Sequence, residues 1–109
     1  MGFIGGIEMK ISVTGEGTKK CIELDGRLDT TAAPELSAVL EKELSAEVKQ
    51  LEIDMSACGY VASSGLRVIL QAQKSMNRVG GSMVVKHVND VVMEVFEMTG
   101  LVDLLTIES

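Results

Sequence analysis

Aromatic and basic residues are scarce in this chain, and both shortages restrict what it can do. The sequence has no tryptophan, one tyrosine and two phenylalanines, although 46% of its residues are hydrophobic, so a packed core must be aliphatic. Ten lysines and arginines stand against sixteen acidic residues, which leaves a formal net charge of −6. Proteins that bind a nucleic-acid backbone need a basic stripe. The composition therefore argues against nucleic acid as a partner.

Long apolar runs and clusters of metal ligands are also missing from the sequence. No apolar run approaches the roughly 20 residues that cross a bilayer, and the opening MGFIGGIEMK lacks the basic and apolar regions of a secretory signal. The two cysteines, Cys21 and Cys58, have neither metal-site nor redox-motif spacing. We therefore expect a cytoplasmic protein without membrane insertion and without a metal or redox site at its cysteines.

Hydrophobic periodicity predicts one α/β domain. Residues 1–7 are glycine-rich and are interpreted as a loose leader, and residues 8–109 as the single domain. Strands are predicted at 9–14 and 18–26, joined as a hairpin by a glycine turn. Helices are predicted at 34–45, 64–77 and 89–100, the last with Asn89 as its N-cap and Gly100 as its C-terminal glycine. They alternate with strands at 48–56, 82–88 and 104–108.

The strand at 48–56 indicates how the layers are arranged. Its apolar residues Leu51 and Ile53 alternate with Glu52 and Asp54, whereas a strand covered by helices on both faces would be apolar throughout. The prediction is a mixed sheet of about five strands, in which parallel strands follow the N-terminal hairpin through right-handed crossovers. The helices should lie mainly on one face of this sheet.

The segment YVASSGLRVIL, residues 60–70, contains the candidate site. A short loop is predicted after strand 48–56, with Ser63 at the entrance to the next helix, where sites gather in open α/β sheets. Ser63 is interpreted either as the helix N-cap or as a phosphorylation site, because a helix N-terminus stabilises an anion. Arg67, four residues later, could then lean toward the phosphate. The two hypotheses are compatible.

Other chemistries fit the sequence less well. The residues around Ser63 supply only the second glycine of a G-x-S-x-G nucleophile elbow, and the sole histidine, His87, falls within a predicted strand. The glycines at 15–17 lie in a hairpin turn without the rest of a nucleotide-binding fingerprint. No histidine or cysteine accompanies the candidate carboxylates in the sequence, so a transition-metal site is not indicated. These carboxylates are Asp25, Asp29 and Asp54.

Four stretches together resemble STAS domains, specifically the bacterial anti-sigma factor antagonists. LEIDMSACGYVASSGLRVIL is similar to the central segment of that family, and IELDGRLDTTAAPEL to its strand, G-x-L-D turn and first helix. NRVGGSMVV resembles the next loop and strand, and VFEMTGLVDLLTI the last helix and strand. The resemblance covers about residues 7–108 and rests on the order of the pieces.

The resemblance implies a partner-switching regulator that is not an enzyme and needs no cofactor. Such an antagonist binds an anti-sigma factor, itself a serine kinase of the GHKL type, and is released when that kinase phosphorylates the first serine of the pair, here Ser63. A PP2C-type phosphatase reverses the modification. A monomer is expected. The alternative is a non-phosphorylated STAS scaffold, such as a subunit of a lipid-transport ABC system.

The resemblance also implies a partner-binding surface around Ser63. The best-known antagonists carry an aspartate directly before the first serine, whereas this chain has Ala62. Asp29 is expected to lie near the acceptor serine. The full set of residues assigned to partner binding is Asp29, Thr30, Thr31, Tyr60, Ala62, Ser64, Gly65, Leu66 and Arg67.

Overall fold

The structure, a computed structural model, describes residues 9–108, and the predicted leader at residues 1–7 lies outside them. Strand β1 (Lys10–Thr14) pairs antiparallel with β2 (Lys19–Leu28) as the predicted hairpin. Gly15 and Gly17 of the turn both have positive φ, a conformation that glycine adopts without steric cost.

The remaining elements alternate as the sequence predicts, and they build a five-stranded sheet in the order β1-β2-β3-β4-β5. Strands β2 to β5 are parallel to one another. These elements are α1 (Ala32–Glu43), β3 (Gln50–Val61), α2 (Ser63–Arg78), β4 (Ser82–Lys86), α3 (Asp90–Met98), a 3-10 helix (Leu101–Asp103) and β5 (Ile107–Glu108).

The core lies between one face of the sheet and the helices. Leu51, Ile53 and Met55 of β3 are fully buried on that face, while Glu52 and Asp54 lie on the other face and remain partly exposed. The helices therefore cover one face of the sheet, as the alternation in β3 predicts. The mixed α/β architecture is confirmed. Within residues 9–108, no helix combines the length and the apolar character that a membrane crossing requires.

Strand β3 is longer than predicted, and the predicted short loop before Ser63 is wrong. The strand continues to Val61, so that only Ala62 separates it from α2. Two bulges insert extra residues into β3 opposite β2, one between Asp54 and Ala57 and one between Cys58 and Tyr60. A bulge interrupts the two-residue alternation of a strand. In this part of β3 the buried residues therefore recur at every third position. The two-residue alternation that predicts a strand is absent from the sequence there.

Three smaller boundaries also differ from the prediction. Strand β2 runs to Leu28, so most of the G-x-L-D segment is strand rather than the predicted turn. His87 lies just after β4 with a φ of 60° rather than within a strand. The last strand contains only Ile107 and Glu108, since the 3-10 helix and a turn bury Leu101 and Leu105 before it.

Candidate functional site

The site lies at the edge of the sheet where the parallel strands β2, β3 and β4 end and the helices α1, α2 and α3 begin. We call this the carboxyl edge. Its elements are held close together because the Ala62 N–H donates to the Leu28 carbonyl, 2.8 Å away. Asp29 and Ser63 each follow directly from this pair. The structure therefore brings the predicted site residues of the two segments side by side.

Asp29 caps α1. Its Oδ1 accepts hydrogen bonds from the N–H groups of Thr31, at 3.1 Å, and Ala32, at 2.9 Å. These bonds start α1 two residues earlier than the sequence predicts. The Asp29 carboxylate is only partly exposed, whereas the neighbouring Thr30 and Thr31 are exposed. Asp29 therefore shapes this part of the edge, and the two threonines present their side chains to solvent.

Asn89 caps α3 and also contacts β3. Its Oδ1 accepts from the Val92 N–H at 2.8 Å, which confirms the predicted cap. Its Nδ2 donates to the Cys58 carbonyl at 3.3 Å. The second bond ties the start of α3 to the bulged part of β3. No local pattern predicts this contact, because the two residues are 31 positions apart.

Helix α2 begins without a side-chain cap. Its N-cap residue is Ala62, and Ser63 is the first helical residue, so the interpretation of Ser63 as the N-cap is wrong. The first turn contains no acidic residue. The first backbone N–H that bonds within the helix is that of Leu66, which donates to the Ala62 carbonyl at 3.0 Å. The preceding N–H groups are those that a helix start leaves available to an outside acceptor.

Gly65 allows α2 to begin this close to β2. A Cβ at this position would lie 2.6 Å from Leu28 Cγ and 3.0 Å from the Leu28 carbonyl oxygen, closer than van der Waals contact permits. Leu66, the next residue, is buried in the core. Gly65 and Leu66 thus fix the position of the helix start, and neither offers a side chain to a partner.

The two serines of the pair have opposite surroundings. Ser63 is exposed. The Oγ of Ser64 is buried and has no hydrogen-bond partner among the described residues. A modifying enzyme could therefore reach the Ser63 hydroxyl in the folded domain, whereas the Ser64 hydroxyl faces inward.

An exposed aromatic–cation pair lies near the end of β3, and of its two members only Tyr60 was predicted as a site residue. Tyr60 is 40% exposed, and the Arg27 guanidinium lies 4.1 Å from the centre of its ring. The pair forms because β2 and β3 place these residues opposite each other after the second bulge. Arg67 is exposed on α2 and lines a groove of about 570 Å³ between α1 and α2 that also includes Glu41.

The face of the sheet opposite the helices, which we call the open face, carries a separate set of charges. Glu52 lies between Lys86, at 3.2 Å, and Lys19, at 3.5 Å, and the hydrogen bond from Lys86 lowers the pKa of its carboxyl. Asp54 lies 3.3 Å from His87 Nδ1. The backbone N–H of Ser56 is the main cause that lowers the pKa of Asp54.

This arrangement does not support a hydrolase. His87 contacts Asp54, and seven strand residues separate Asp54 from Ala62 and Ser63 along β3, a distance of roughly 20 Å. A general base must lie within hydrogen-bond reach of the nucleophile. In the described part of the chain, no three histidine, cysteine or acidic residues are placed to hold a metal ion.

Comparisons with known proteins point to one family. The family profile described as "Mlab, STAS domain" matches residues 11–106. An anti-sigma-B factor antagonist from Listeria monocytogenes is 32% identical over 84 residues, which cover 77% of this chain and 74% of that protein.

Solved structures of other proteins share the fold. An anti-sigma factor antagonist from Mycobacterium paratuberculosis superposes with a TM-score of 0.84 at 18% identity, over 97% of this chain and 90% of that one. The Bacillus cell fate determinant SpoIIAA, solved in its phosphorylated form, superposes with a TM-score of 0.72 at 18% identity, over 92% of each chain.

Proposed function

The chain belongs to the STAS domain family of anti-sigma factor antagonists, and we propose that it is a partner-switching regulator controlled through Ser63. Unphosphorylated, it binds a cognate anti-sigma factor that is also a GHKL-type serine kinase. Phosphorylation of Ser63 releases it, and a PP2C-type phosphatase restores it. The observation that carries the proposal is the exposed Ser63 hydroxyl on the first residue of a helix without a side-chain cap.

The start of α2 suits a phosphate on Ser63. A phosphoserine adds about −1.5 to −2 charges and strong acceptor oxygens. The partial positive charge of a helix N-terminus and its unpaired N–H groups stabilise such an anion. No acidic side chain of the first turn opposes it, and Arg67 follows one turn later. The domain can therefore accept the modification without unfolding.

The same charge would disturb a partner bound at the carboxyl edge. The proposed docking surface consists of Asp29–Thr31, the exposed residues Tyr60, Ser63 and Arg67 around the start of α2, and the exposed face of that helix. Ser63 lies within it, flanked by the exposed Tyr60 and Arg67. A dianion there must be desolvated when a partner covers it, and it repels an acidic partner. Release then follows from electrostatics, without a change of fold.

The SpoIIAA structure supports this interpretation by analogy, since that protein of the same fold exists in a phosphorylated form. For this chain we propose further that the domain spans residues 8–109 and acts as a monomer in the cytoplasm. It would be neither an enzyme nor a cofactor-binding protein, because the nucleotide and its Mg²⁺ belong to the kinase.

A second candidate is a STAS scaffold that is not phosphorylated, such as a subunit of a lipid-transport ABC system. Two observations favour it: the matching profile is described as Mlab, and Ala62 occupies the place of the aspartate found in the best-known antagonists. Neighbouring genes distinguish the two functions. Kinase, phosphatase and sigma-factor genes support the antagonist, and ABC permease genes support the scaffold.

The affinity of charge variants for the cognate kinase tests the proposed switch. Ser63→Glu should weaken kinase binding by at least about tenfold in calorimetry, because it places a charge inside the docking surface. Ser82→Glu is the matched control: this exposed serine begins β4, at the opposite edge of the sheet, and its variant should bind within about twofold of wild type. Equal affinity of Ser63→Glu and wild type would contradict release by charge.

A further inference from the structure

The outer face of α3 exposes large apolar side chains that the proposed switch does not use. Val91 is 62% exposed and Met98 is 80% exposed. They are seven residues apart, which places them two turns apart on one side of the helix. Val95, partly buried, lies between them. We call Val91, Val95 and Met98 the α3 stripe. Leu104, 59% exposed, follows just after the 3-10 helix.

Each of these apolar residues directly follows an acidic one. Within residues 9–108, none of these acidic side chains belongs to an ion pair, whereas Glu43, Glu52 and Asp54 elsewhere are paired. An apolar patch with a charged rim is typical of a protein interaction site. The four pairs are Asp90–Val91, Glu94–Val95, Glu97–Met98 and Asp103–Leu104.

The negative charge of the protein is concentrated in this part of the chain. Residues 88–109 contain five acidic residues and no lysine or arginine. The rest of the chain has eleven acidic and ten basic residues, so it contributes only −1 to the net charge of −6. Four of these acidic residues, Asp90, Glu94, Glu97 and Asp103, lie on α3 and the 3-10 helix that follows it. Their charge favours the approach of a cation to this face.

We propose that the α3 stripe with its acidic rim is a second docking surface, which binds a basic amphipathic helix of a partner protein. The apolar residues would contact the apolar face of that helix, and the acidic residues would meet its lysines and arginines. The spacing of about 10 Å between Val91 and Met98 matches two turns of a helix laid alongside. This surface does not depend on Ser63 or on the proposed switch.

Charge excludes the other occupants of an exposed apolar face. A nucleic acid or an anionic membrane is repelled by the four rim carboxylates, none of which forms an ion pair within residues 9–108. A second copy that packed symmetrically through α3 would bring the same carboxylates face to face. A cationic partner is attracted instead, and its apolar face covers the side chains that water now surrounds.

A designed peptide tests the chemistry of this surface. The probe is an acetylated helix of about 18 residues built only from leucine and lysine, with all leucines on one face. Its binding to the whole chain is followed by calorimetry and by amide chemical shifts in NMR. We expect the shifts to cluster between residues 90 and 104. A scrambled peptide of the same composition, which lacks an apolar face, should bind at least about tenfold more weakly.

Two double variants separate docking from general attraction. Glu94→Lys with Glu97→Lys should weaken peptide binding by at least about tenfold. Glu41→Lys with Glu47→Lys changes the net charge equally at two exposed positions away from α3, and it should change the affinity by no more than about twofold. Val91→Ser with Met98→Ser removes the apolar contact without altering the charge, and it should also cost about tenfold.

Three results would overturn the proposal. The first is equal weakening by the two charge variants, or shifts spread over the whole surface, since both indicate non-specific attraction. The second is binding of the wild-type chain to phosphatidylglycerol vesicles that Val91→Ser with Met98→Ser abolishes, because the occupant would then be a membrane. The third is self-association in sedimentation that this same variant abolishes, because the stripe would then bind a second copy.

Discussion

Three helices begin side by side at the carboxyl edge, and they begin in different ways. The first N–H groups of α1 and α3 bond to the side chains of Asp29 and Asn89. Helix α2, which starts between these two, has Ala62 at the corresponding position and no side-chain bond. Its first residue is the exposed Ser63. A cap stabilises a helix by about 1 kcal/mol, so α2 lacks a contribution that its two neighbours have.

This difference indicates where a charge can be added to the domain. At α1 and α3 an anion would compete with a side chain that already accepts the N–H groups. At α2 the same groups are available, and the adjacent hydroxyl points to solvent. Three experiments with variants test the contrast, beginning with the one expected to have the largest effect.

Gly65→Ala should destabilise the domain most, because the close approach of α2 to β2 depends on a missing side chain. A Cβ would lie 2.6 Å from Leu28 Cγ and 3.0 Å from its carbonyl oxygen, and such overpacking costs about 2–3 kcal/mol. Urea denaturation measures the loss. Gly59→Ala is the control, since nothing lies within 4 Å of its Cβ, and it should change stability by no more than about 0.5 kcal/mol. Equal effects would show that α2 can shift away from β2.

Exchanging the caps should change stability in opposite directions. Asn89→Ala removes an existing cap and should lower the free energy of unfolding by about 1 kcal/mol. Ala62→Asp adds an acceptor at the start of α2, where the backbone is already extended, and should raise it by about 0.5–1 kcal/mol. Thermal and urea unfolding measure both. A neutral or destabilising Ala62→Asp would mean that the N–H groups of α2 are not available to an acceptor.

Substitution of Glu52 on the open face should have the smallest effect on the free energy of unfolding, and this effect should depend on pH. The pKa of Glu52 is lowered in the folded state, mainly by Lys86. Its contribution is therefore present above the unfolded pKa of about 4.3 and is lost as the pH falls through the folded value. Glu52→Gln should cost less than about 1 kcal/mol at neutral pH, and the difference from wild type should shrink as the pH falls from the unfolded pKa through the lower folded pKa.

Glu23→Gln is the matched control for that experiment, because Glu23 is exposed on the neighbouring strand and forms no ion pair within residues 9–108. It should resemble wild type at every pH. A deficit of Glu52→Gln that persists unchanged into acid would show that the carboxylate charge is not its cause.

The sequence contained most of the fold because its main signals are local. The alternation of Leu51 and Ile53 with Glu52 and Asp54 predicted a sheet covered on one face, and the structure confirms it. Asn89 and Gly100 correctly marked the ends of α3, since a cap oxygen and a positive φ are properties of single residues. The bulged end of β3 was missed because its buried residues no longer alternate.

The candidate site was less visible, because it depends on contacts across the sheet. Position in the sequence could not distinguish a capping Ser63 from an exposed one, since the outcome depends on how far β3 extends. The pairing of Arg27 with Tyr60 follows from the strand register after two bulges. The burial of the Ser64 hydroxyl likewise depends on how α2 packs.

The central claim is that Ser63 alone carries the switch, and mapping of the phosphate tests it most directly. The chain is incubated with the kinase shown to bind it, ATP and Mg²⁺, and the product is analysed by intact mass and by phosphopeptide sequencing. We predict one phosphate, located on Ser63, absent from Ser63→Ala and retained in Ser64→Ala. Phosphate on Ser64, or none at all with a kinase that binds the domain, would contradict the account.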